Sequence, residues 1–479
     1  MSRADPRRSG RAEAAVPYAL VLAVFACFLP VLSNGFLLWD DDLNLTENPL
    51  YRGLGPAQLG WIVTTRLGGH YQPLTWLSFA LDYTLWGMDA AGYHLTSLVL
   101  HAVNTLLVFR LVGRLIPWAG VGPRLAGALL FGLHPLRVEA VAWATARRDV
   151  LGALFYLLTL LTYLRYAVTR DGGDRAWPWL AASLGCFALS MLAKAQGMTL
   201  PLVLLVLDLY PLRRFARGFS AGTLLAEKLP FVLLSLAAAV TASFGLGEAR
   251  TLTLTEYSVA RRVAQAAHGL VFYLWKTAVP GRLSPLYLLE TTLDPWTLRY
   301  VLAALFVVAV TAALVVLRRR APWALAAWVC YAAILAPVLG FAQTGPQTVA
   351  DRYSYLACLP WVVLAAAGLA RLHGPLPAVL TAATLVALGL LTFRQTHVWH
   401  DTVTLWDQAL RLDPTNHIAL NNRGMARLAA GEAEGALADF TAALAASPPP
   451  WRRPMIEGNI ELAQDALAER ARRRPAPPR

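Results

Sequence analysis

The chain has 479 residues, of which 57% are hydrophobic and only 15% charged, and its mean hydropathy is +0.48. This composition excludes a soluble globular protein, because a soluble surface needs more charged side chains. The net charge of +13 does not indicate a nucleic-acid partner, since the arginines cluster at the ends of apolar segments rather than on one soluble face. We therefore expect a chain that lies largely within a lipid bilayer and binds no nucleic acid.

Apolar segments near the length of about 20 residues that spans a bilayer recur along the chain. The clearest cover residues 16–32, 93–112, 150–166, 231–244, 301–317 and 379–391. The first follows several arginines but lacks a small-residue cleavage site at its end, so we interpret it as a retained helix rather than a signal peptide. We predict an all-α, polytopic membrane protein with roughly 11–13 transmembrane helices.

Clusters of basic residues predict the orientation, because loops rich in Lys and Arg stay on the cytoplasmic side. The N-terminal residues 1–14 form the first cluster, and a membrane domain over 15–396 follows. Later clusters are centred on Arg110, Arg165, Arg213, Arg318 and Arg371. The loops predicted to lie outside are a first outer loop at 34–91, a second outer motif at 134–149, and shorter loops at 194–197, 245–260 and 343–353.

One apolar segment, 263–279, does not fit this alternation, since a full crossing there would move the arginines after 317 to the outer side. Arg261, Arg262, His268 and Lys276 within or beside it suit a helix that lines a wet cavity. We interpret the segment as re-entrant or interfacial. The alternative is a full crossing, which requires a further crossing hidden in 283–293.

A period of 34 residues appears after 397, where polar residues become frequent. Trp406 recurs as Phe440, and an alanine and a helix-ending proline recur at the same spacing. This combination is typical of the tetratricopeptide repeat. We expect a repeat domain over 397–470 on the outer side and a disordered tail over 471–479. Because only about one and a half repeats are visible and about three are usually needed, the domain must lean on the membrane domain or on a partner.

Three adjacent carboxylates, Asp40, Asp41 and Asp42, follow Trp39 at the start of the first outer loop. One interpretation is a solvated loop start. A second is a general base that activates an attacking hydroxyl group. A third interpretation is a binding site for a divalent cation, since hard cations prefer oxygen ligands.

A second polar stretch lies between two apolar helices and contains His134, Glu139, Arg147, Arg148 and Asp149. A charge at the bilayer centre costs about 2.5–3.5 kcal/mol, so these residues need partners or a function. A structural network of ion pairs is one explanation. A phosphate site is the other, because a guanidinium group binds phosphate through two parallel N–H bonds.

Two further polar groups, Lys194 and Asp351–Tyr353, occur at outer helix ends. They suit either interfacial anchors or a binding site. Convergence of Arg147, Lys194 and Arg352 on one cavity would create a site for an anionic headgroup facing the acidic loop.

These motifs together resemble those of the transmembrane and tetratricopeptide-repeat O-mannosyltransferase family and its bacterial relatives, within the GT-C class of glycosyltransferases. The segments that carry the resemblance occur in the same order, at 35–36, 39–41, 48–49, 70–75, 92–94, 101–104, 133–139, 147–151, 194 and 349–353. Asp42 as a third acid, Gln196 and the short repeat array depart from the family's pattern. The short array leaves the choice of acceptor open.

The resemblance implies a glycosyltransferase of a bacterial inner membrane, acting on its outer face without a redox cofactor. It would transfer a sugar such as mannose, with inversion, from a polyprenyl phosphate to a protein or glycan that the repeat domain presents. The implied base is Asp41, with Asp40 as the alternative. His134, Glu139 and Arg147 match the family's second-loop motif, and Asp351–Tyr353 match a late-loop motif to which the resemblance assigns no role. From their chemistry we predict Arg147, Arg148, Lys194, Arg352 and His134 as donor-phosphate ligands, and Glu139, Asp149, His70, Asp351 and Tyr353 as supporting residues.

Two functions of other classes compete with this one. A non-catalytic scaffold would use the repeat domain to gather envelope proteins, but it leaves the carboxylate and arginine groups unexplained. A transporter of lipid-linked sugars would also need a cationic cavity, and internal inverted repeats, which the sequence does not show, would favour it.

Overall fold

The computed structural model describes residues 6–245, 257–290, 293–341 and 345–473. Within these ranges the chain is helical except for loops and one antiparallel ribbon of two short strands, β1 (Tyr287–Leu288) and β2 (Gln347–Val349). The predicted all-α class is confirmed. Parts of the predicted N-terminal cluster, of the loops at 245–260 and 343–353, and of the tail lie outside the described residues.

Twenty α-helices follow one another along the described chain. They are α1 (Pro6–Phe28), α2 (Pro56–Thr64), α3 (Pro73–Trp86), α4 (Ala90–Leu115), α5 (Val121–Gly132), α6 (Val138–Ala142), α7 (Arg147–Asp171), α8 (Trp177–Ala193), α9 (Leu200–Leu209), α10 (Ala221–Gly245), α11 (Val259–Ala278), α12 (Leu298–Val316), α13 (Pro322–Leu335), α14 (Ser354–Ala357), α15 (Leu359–Leu369), α16 (Pro375–Thr396), α17 (Thr402–Leu412), α18 (His417–Ala429), α19 (Ala433–Ala445) and α20 (Arg453–Arg473).

Six of the described helices are long and apolar enough to cross a membrane, and their apolar spans belong to α1, α4, α7, α10, α12 and α16. The number rises to eight if each of two bent helix pairs, around α5–α6 and α14–α15, is a single span. The number reaches 11, the lower end of the prediction, when the three shorter apolar helices, at 177–193, 195–209 and 322–338, are counted as well. The protein is therefore a multi-pass membrane protein.

Helix α11 is not among these candidate spans, because charged residues interrupt its apolar face. Arg262 is buried and donates to the carbonyl oxygens of Tyr257, Gly340 and Phe341. The interfacial interpretation of this segment stays a prediction. The alternative of a hidden crossing in 283–293 is wrong for the described residues 283–290, since they form loops and strand β1.

Helix α7 lies at the centre of the membrane domain, where it packs against α4 and α8. Its N-terminal end meets the loops predicted to lie outside. Thr75 Oγ1 donates to the carbonyl oxygen of Ala193 at 3.0 Å, and Thr392 Oγ1 donates to that of Leu133 at 2.8 Å. These contacts bring four chain segments that are distant in sequence to one end of the helix bundle.

The C-terminal end of α7 carries a buried cluster of ion pairs. Arg214 lies 2.6 Å from Glu227 and 3.4 Å from Asp208, and its side chain is completely buried. Asp171, on the last turn of α7, pairs with Arg214 and with the exposed Arg217. These arginines belong to the clusters predicted to stay cytoplasmic, so the acidic outer motifs and the basic clusters occupy opposite ends of α7.

The C-terminal helices α17–α20 pack in chain order, α17 against α18, α18 against α19 and α19 against α20. Trp406 and Phe440, the aromatic residues 34 positions apart, are both fully buried. Gly424 has no room for a side chain, because a Cβ there would lie 2.5 Å from the Phe440 ring. Such close helix contact is what the repeat spacing predicts, whereas the boundaries of the repeat domain stay a prediction.

Candidate active site

Asp41 is completely buried and joins two loops. Its Oδ2 accepts a hydrogen bond from the backbone N–H of Leu37 at 3.0 Å. Its Oδ1 accepts from both the backbone N–H (2.8 Å) and the hydroxyl group (2.6 Å) of Thr145. Burial raises the pKa of Asp41 to about 7, although these three bonds oppose the shift. Asp41 therefore connects the first outer loop to the turn before α7.

Asp40 has the opposite surroundings. Its φ angle of 66° is in the left-handed region, which Asp adopts more readily than most residues, and the residue as a whole is exposed. Desolvation by its surroundings raises the pKa of Asp40, while the guanidinium groups of Arg148 and Arg352 oppose the shift. Asp40 thus faces the cationic residues and Asp41 does not.

Three cations, Arg148, Lys194 and Arg352, line one narrow cavity of about 20 Å³, and two of them, Arg148 and Arg352, interact with Asp40. Lys194 lies 2.5 Å from Asp149, and Arg352 is paired with Glu139. Arg148 has no ion-pair partner among the described residues. We call these three residues the cationic cluster.

His70 faces the cationic cluster from the first outer loop. The positive charge of Arg148, followed by desolvation and by Lys194 and Arg352, lowers the pKa of His70 to about 3. The imidazole is therefore neutral at physiological pH. It can accept or donate a hydrogen bond, but it adds no further positive charge to the site.

Two of the predicted phosphate ligands lie away from this cluster. Arg147 is completely buried between Asp82, at 2.7 Å, and the Ser97 hydroxyl group, at 2.8 Å. It is therefore satisfied within the protein and points to α3 and α4 rather than to the cavity. His134 caps a short helical turn, where its Nδ1 accepts from the N–H of Leu136 at 3.2 Å. Arg147 therefore fits a structural network of ion pairs, whereas Arg148 fits a phosphate site.

Three of the predicted supporting residues, Glu139, Asp149 and Tyr353, contact the cationic cluster. Glu139 accepts from both the side chain and the backbone N–H of Arg352, and Asp149 holds Lys194. The ring of Tyr353 lies 4.8 Å from the Arg352 guanidinium group and 5.5 Å from Lys194 Nζ. The Asp351 carboxylate does not contact the cationic cluster and instead accepts a hydrogen bond from the Tyr287 hydroxyl group at 3.0 Å.

A row of tryptophans connects the acidic loop to the C-terminal helices. Trp39, which directly precedes Asp40, packs edge-to-face against Trp406 at a centroid distance of 4.9 Å. Trp39 also stacks on Trp143, which in turn stacks on Trp399. The Leu38 N–H donates to Thr402 Oγ1 at 3.0 Å. Helix α17 therefore supports the loop that carries Asp40.

Sequence reasoning missed Asp82 and Thr145. Asp82 is a single carboxylate in an otherwise apolar helix, and that isolation was a usable signal that it pairs with a buried cation. Thr145 has no such signal, because a threonine in a helix-connecting turn is common. Among the described residues, no group of three or more His, Cys, Asp or Glu side chains is arranged to hold a metal ion.

These features define a multi-pass, all-α membrane protein with an acidic loop facing a cationic cluster. Comparison with known proteins finds several similar sequences. The chain is 39% identical over 152 residues to protein O-mannosyl-transferase TMTC2 of Homo sapiens, covering 31% of this chain and 18% of that protein. It is 36% identical over 194 residues to Tmtc2 of Drosophila melanogaster, covering 38% and 20%. It is 31% identical over 239 residues to human TMTC1, covering 46% and 27%.

The resemblance inferred from the motifs is confirmed by these relatives, of which the chain spans about a fifth to a quarter of the length. No family model matches the chain. The crystal structure of ArnT from Cupriavidus metallidurans bound to undecaprenyl phosphate aligns with 96% of this chain and 78% of that chain, at 14% identity and a TM-score of 0.38. A likeness at that level supports no argument about this protein.

Proposed function

We propose that this protein is a glycosyltransferase that moves a sugar from a polyprenyl phosphate to a hydroxyl group of a protein, at the outer face of a bacterial inner membrane. The observation that carries the proposal is the Asp40 carboxylate, which faces Arg148 and Arg352, two residues that line one cavity together with Lys194. The names of the relatives, which are protein O-mannosyl-transferases, support mannose as the sugar and a protein as the acceptor.

The reaction follows from what each group can do. The acceptor oxygen attacks the anomeric carbon of the sugar from the side opposite the phosphate, and its proton passes to Asp40. The bond between that carbon and the phosphate oxygen breaks, and its electron pair stays on the lipid phosphate. One displacement inverts the anomeric centre. The cationic cluster stabilises the charge that accumulates on the leaving phosphate.

Arg148 is the proposed principal phosphate ligand, because its guanidinium group has no ion-pair partner among the described residues. Lys194 and Arg352 add positive charge while Asp149 and Glu139 hold them in position. The narrow cavity has room for about one water molecule, so the phosphate lies at its mouth, between Arg148 and His70.

This proposal exchanges the roles of the two acids relative to the sequence-based hypothesis. Asp41 has both carboxylate oxygens engaged by Leu37 and Thr145, so it positions the loop. Asp40 is free to reach a substrate, so it is the proposed base. A general base contributes roughly 10²–10⁴-fold to the rate.

The test is sugar transfer from a panel of radiolabelled polyprenyl-phosphate sugars in membranes that carry the wild type, Asp40→Asn or Asp41→Asn. We expect Asp40→Asn to lower the turnover at least about 100-fold with normal protein abundance, since Asn keeps the shape and tolerates the same backbone conformation. We expect Asp41→Asn to reduce abundance or thermal stability. Full turnover by Asp40→Asn would refute its role as the base, and the absence of transfer from every donor by the wild type would refute the proposed function.

A further inference from the structure

A second and larger cavity, of about 340 Å³, lies between α11, the β1–β2 ribbon and the end of α17. Arg148, Lys194 and Arg352 line the narrow cavity and not this one. Its volume is at the lower end of the range of about 300–1,000 Å³ typical of ligand pockets. It therefore suits a short segment of a ligand rather than a folded domain.

One wall of this cavity is a continuous row of rings. His268 lies edge-to-face with Tyr300 at 5.5 Å and is 6.2 Å from Phe272, one turn further along α11. Phe272 in turn lies edge-to-face with Tyr287 of β1 at 5.0 Å. Flat aromatic surfaces of this kind bind apolar side chains and extended backbone with little loss of conformational freedom.

Most charged groups in the cavity are already engaged, and the exception among its described lining residues is the exposed Arg282, whose guanidinium group has no ion-pair or hydrogen-bond partner. Arg299 and Glu290 form an ion pair in which each side chain is about half exposed, at 49% and 51%. Lys276 Nζ donates to the carbonyl oxygens of Gly281 and Arg282. The pair of Arg299 and Glu290 still offers N–H donors beside carboxylate acceptors, which matches the C=O and N–H groups of a peptide backbone.

The large cavity shares a structural wall with the proposed active site. Thr348 and Val349 of β2 line it, and the chain continues directly into Asp351 and Arg352. The hydroxyl group of Tyr287, which also lines it, donates to Asp351. A ligand in this cavity therefore lies against the segment that carries one cation of the donor site.

We infer that this cavity is the acceptor site and that its ligand is an extended polypeptide segment carrying a serine or threonine hydroxyl group. Leu412 and Asp413 at the end of α17 complete its lining, so the C-terminal helices form part of the acceptor site. The inference rests on the proposed function, because it names the acceptor of that reaction and the place where it binds.

Photo-crosslinking tests the location directly. A photoreactive amino acid at position 412, in the full-length chain in lipid nanodiscs, is expected to crosslink a labelled Ser/Thr peptide that contains phenylalanine. The matched control is position 430, at the exposed end of α18, which lines neither cavity. Unlabelled peptide should compete for the crosslink. Equal crosslinking at both positions, or competition by a manno-oligosaccharide but not by the peptide, would overturn the assignment.

Acceptor kinetics give a second readout. We expect Arg299→Ala to raise the KM for the peptide about tenfold, as loss of a hydrogen-bonding group does, with a much smaller change in kcat. Exposed ion pairs contribute little to folding, so this variant should remain folded. The control Arg217→Ala, in the ion-pair cluster at the other end of α7, should leave the peptide KM unchanged. An unaltered peptide KM in Arg299→Ala would contradict the inference.

Failure of this inference can be told apart from failure of the proposed function. Transfer by the wild type, with no effect of Arg299→Ala and no specific crosslink at 412, refutes the acceptor site and leaves the glycosyltransferase standing. If the wild type transfers no sugar, the crosslinking experiment still decides whether the cavity binds the peptide.

Discussion

Asp40 and Asp41 are neighbours in the chain, but their carboxylates differ in exposure, in hydrogen bonding and in the charges that they face. The difference arises from the backbone, because the left-handed conformation at Asp40 turns its side chain away from the direction that Asp41 takes. Asp41 therefore holds the loop, and Asp40 remains available to a substrate. A strained backbone conformation of this kind is often found at functional sites.

The pKa of about 7 at Asp41 predicts a pH dependence of stability. An aspartate in the unfolded chain has a pKa of about 3.9, so between these values the folded state holds more protons than the unfolded state. The free energy of unfolding should therefore fall as pH rises from about 4 to about 7, by about 4 kcal/mol at most. Thermal unfolding in detergent measured across this pH range checks the prediction.

Asp41→Asn removes the titrating group, so it should flatten this dependence whatever its effect on absolute stability. If that variant does not fold, Thr145→Val serves instead. Loss of the Thr145 hydroxyl donor disfavours the ionised carboxylate, so the pH dependence should move to higher pH. An unchanged profile in both variants would contradict the assignment.

Arg147 and Arg148 provide a matched pair for separating structure from ligand binding. Arg148→Gln should raise the KM for the lipid donor and lower the rate of transfer with normal abundance, because it removes the proposed phosphate ligand. Arg147→Gln should instead reduce abundance, since breaking a buried ion pair costs about 3–5 kcal/mol. Donor kinetics and quantified membrane expression distinguish the two outcomes, and the reverse pattern would exchange the roles that we propose.

The sequence alone predicted which residue types gather at the site but not which of two neighbours points into it. Arg147 and Arg148 have the same side chain. Arg147 forms an ion pair and Arg148 does not, because Asp82 on α3 lies beside Arg147. The orientation of Asp40 depends on one backbone angle that no pattern in the sequence specifies. The contact of Asp82 is a tertiary contact and the φ angle of Asp40 is local backbone geometry, and neither can be predicted from residue spacing.

At the level of elements, the repeat pattern was informative because its period is set by helix packing. Trp406 and Phe440 are buried as the 34-residue period predicts, yet the same period says nothing about what covers the outer face of α17. That face lies against Trp39. If the C-terminal helices were deleted, a loss of function would be expected both for a scaffold and for an enzyme. The deletion would also remove the support of the loop that carries Asp40, so it does not distinguish the two functions.

Trp406 and Phe440 form a natural pair for testing this support. Replacing either with alanine should destabilise the C-terminal helices, by about 3–5 kcal/mol for a fully buried aromatic residue. Only Trp406→Ala should lower kcat for sugar transfer, because only Trp406 packs against Trp39, and Trp406→Phe should restore part of the rate. The measurement is kcat with saturating donor and acceptor. Equal losses of kcat in Trp406→Ala and Phe440→Ala would show that the effect is merely structural.

At the level of the whole molecule, the basic clusters and the acidic outer motifs lie at opposite ends of α7, which supports the predicted orientation. A membrane-impermeant thiol reagent added from outside should label Ala430→Cys and not Arg175→Cys, in a chain whose own cysteines are replaced. Both positions are exposed in the structure. Labelling of Arg175→Cys alone would reverse the proposed orientation, and labelling of both after membrane lysis is the control.

The hydrogen bond between Leu38 and Thr402 joins residues separated by 364 positions. At a synthesis rate of about 5–20 residues per second, the second partner is made roughly 20–70 s after the first. During this interval the first outer loop has been inserted but lacks the tryptophans that support it. A chain released by the ribosome between residues 354 and 398 would carry every acidic and basic residue of the proposed site but neither Trp399 nor Trp406, so we expect it to be inactive.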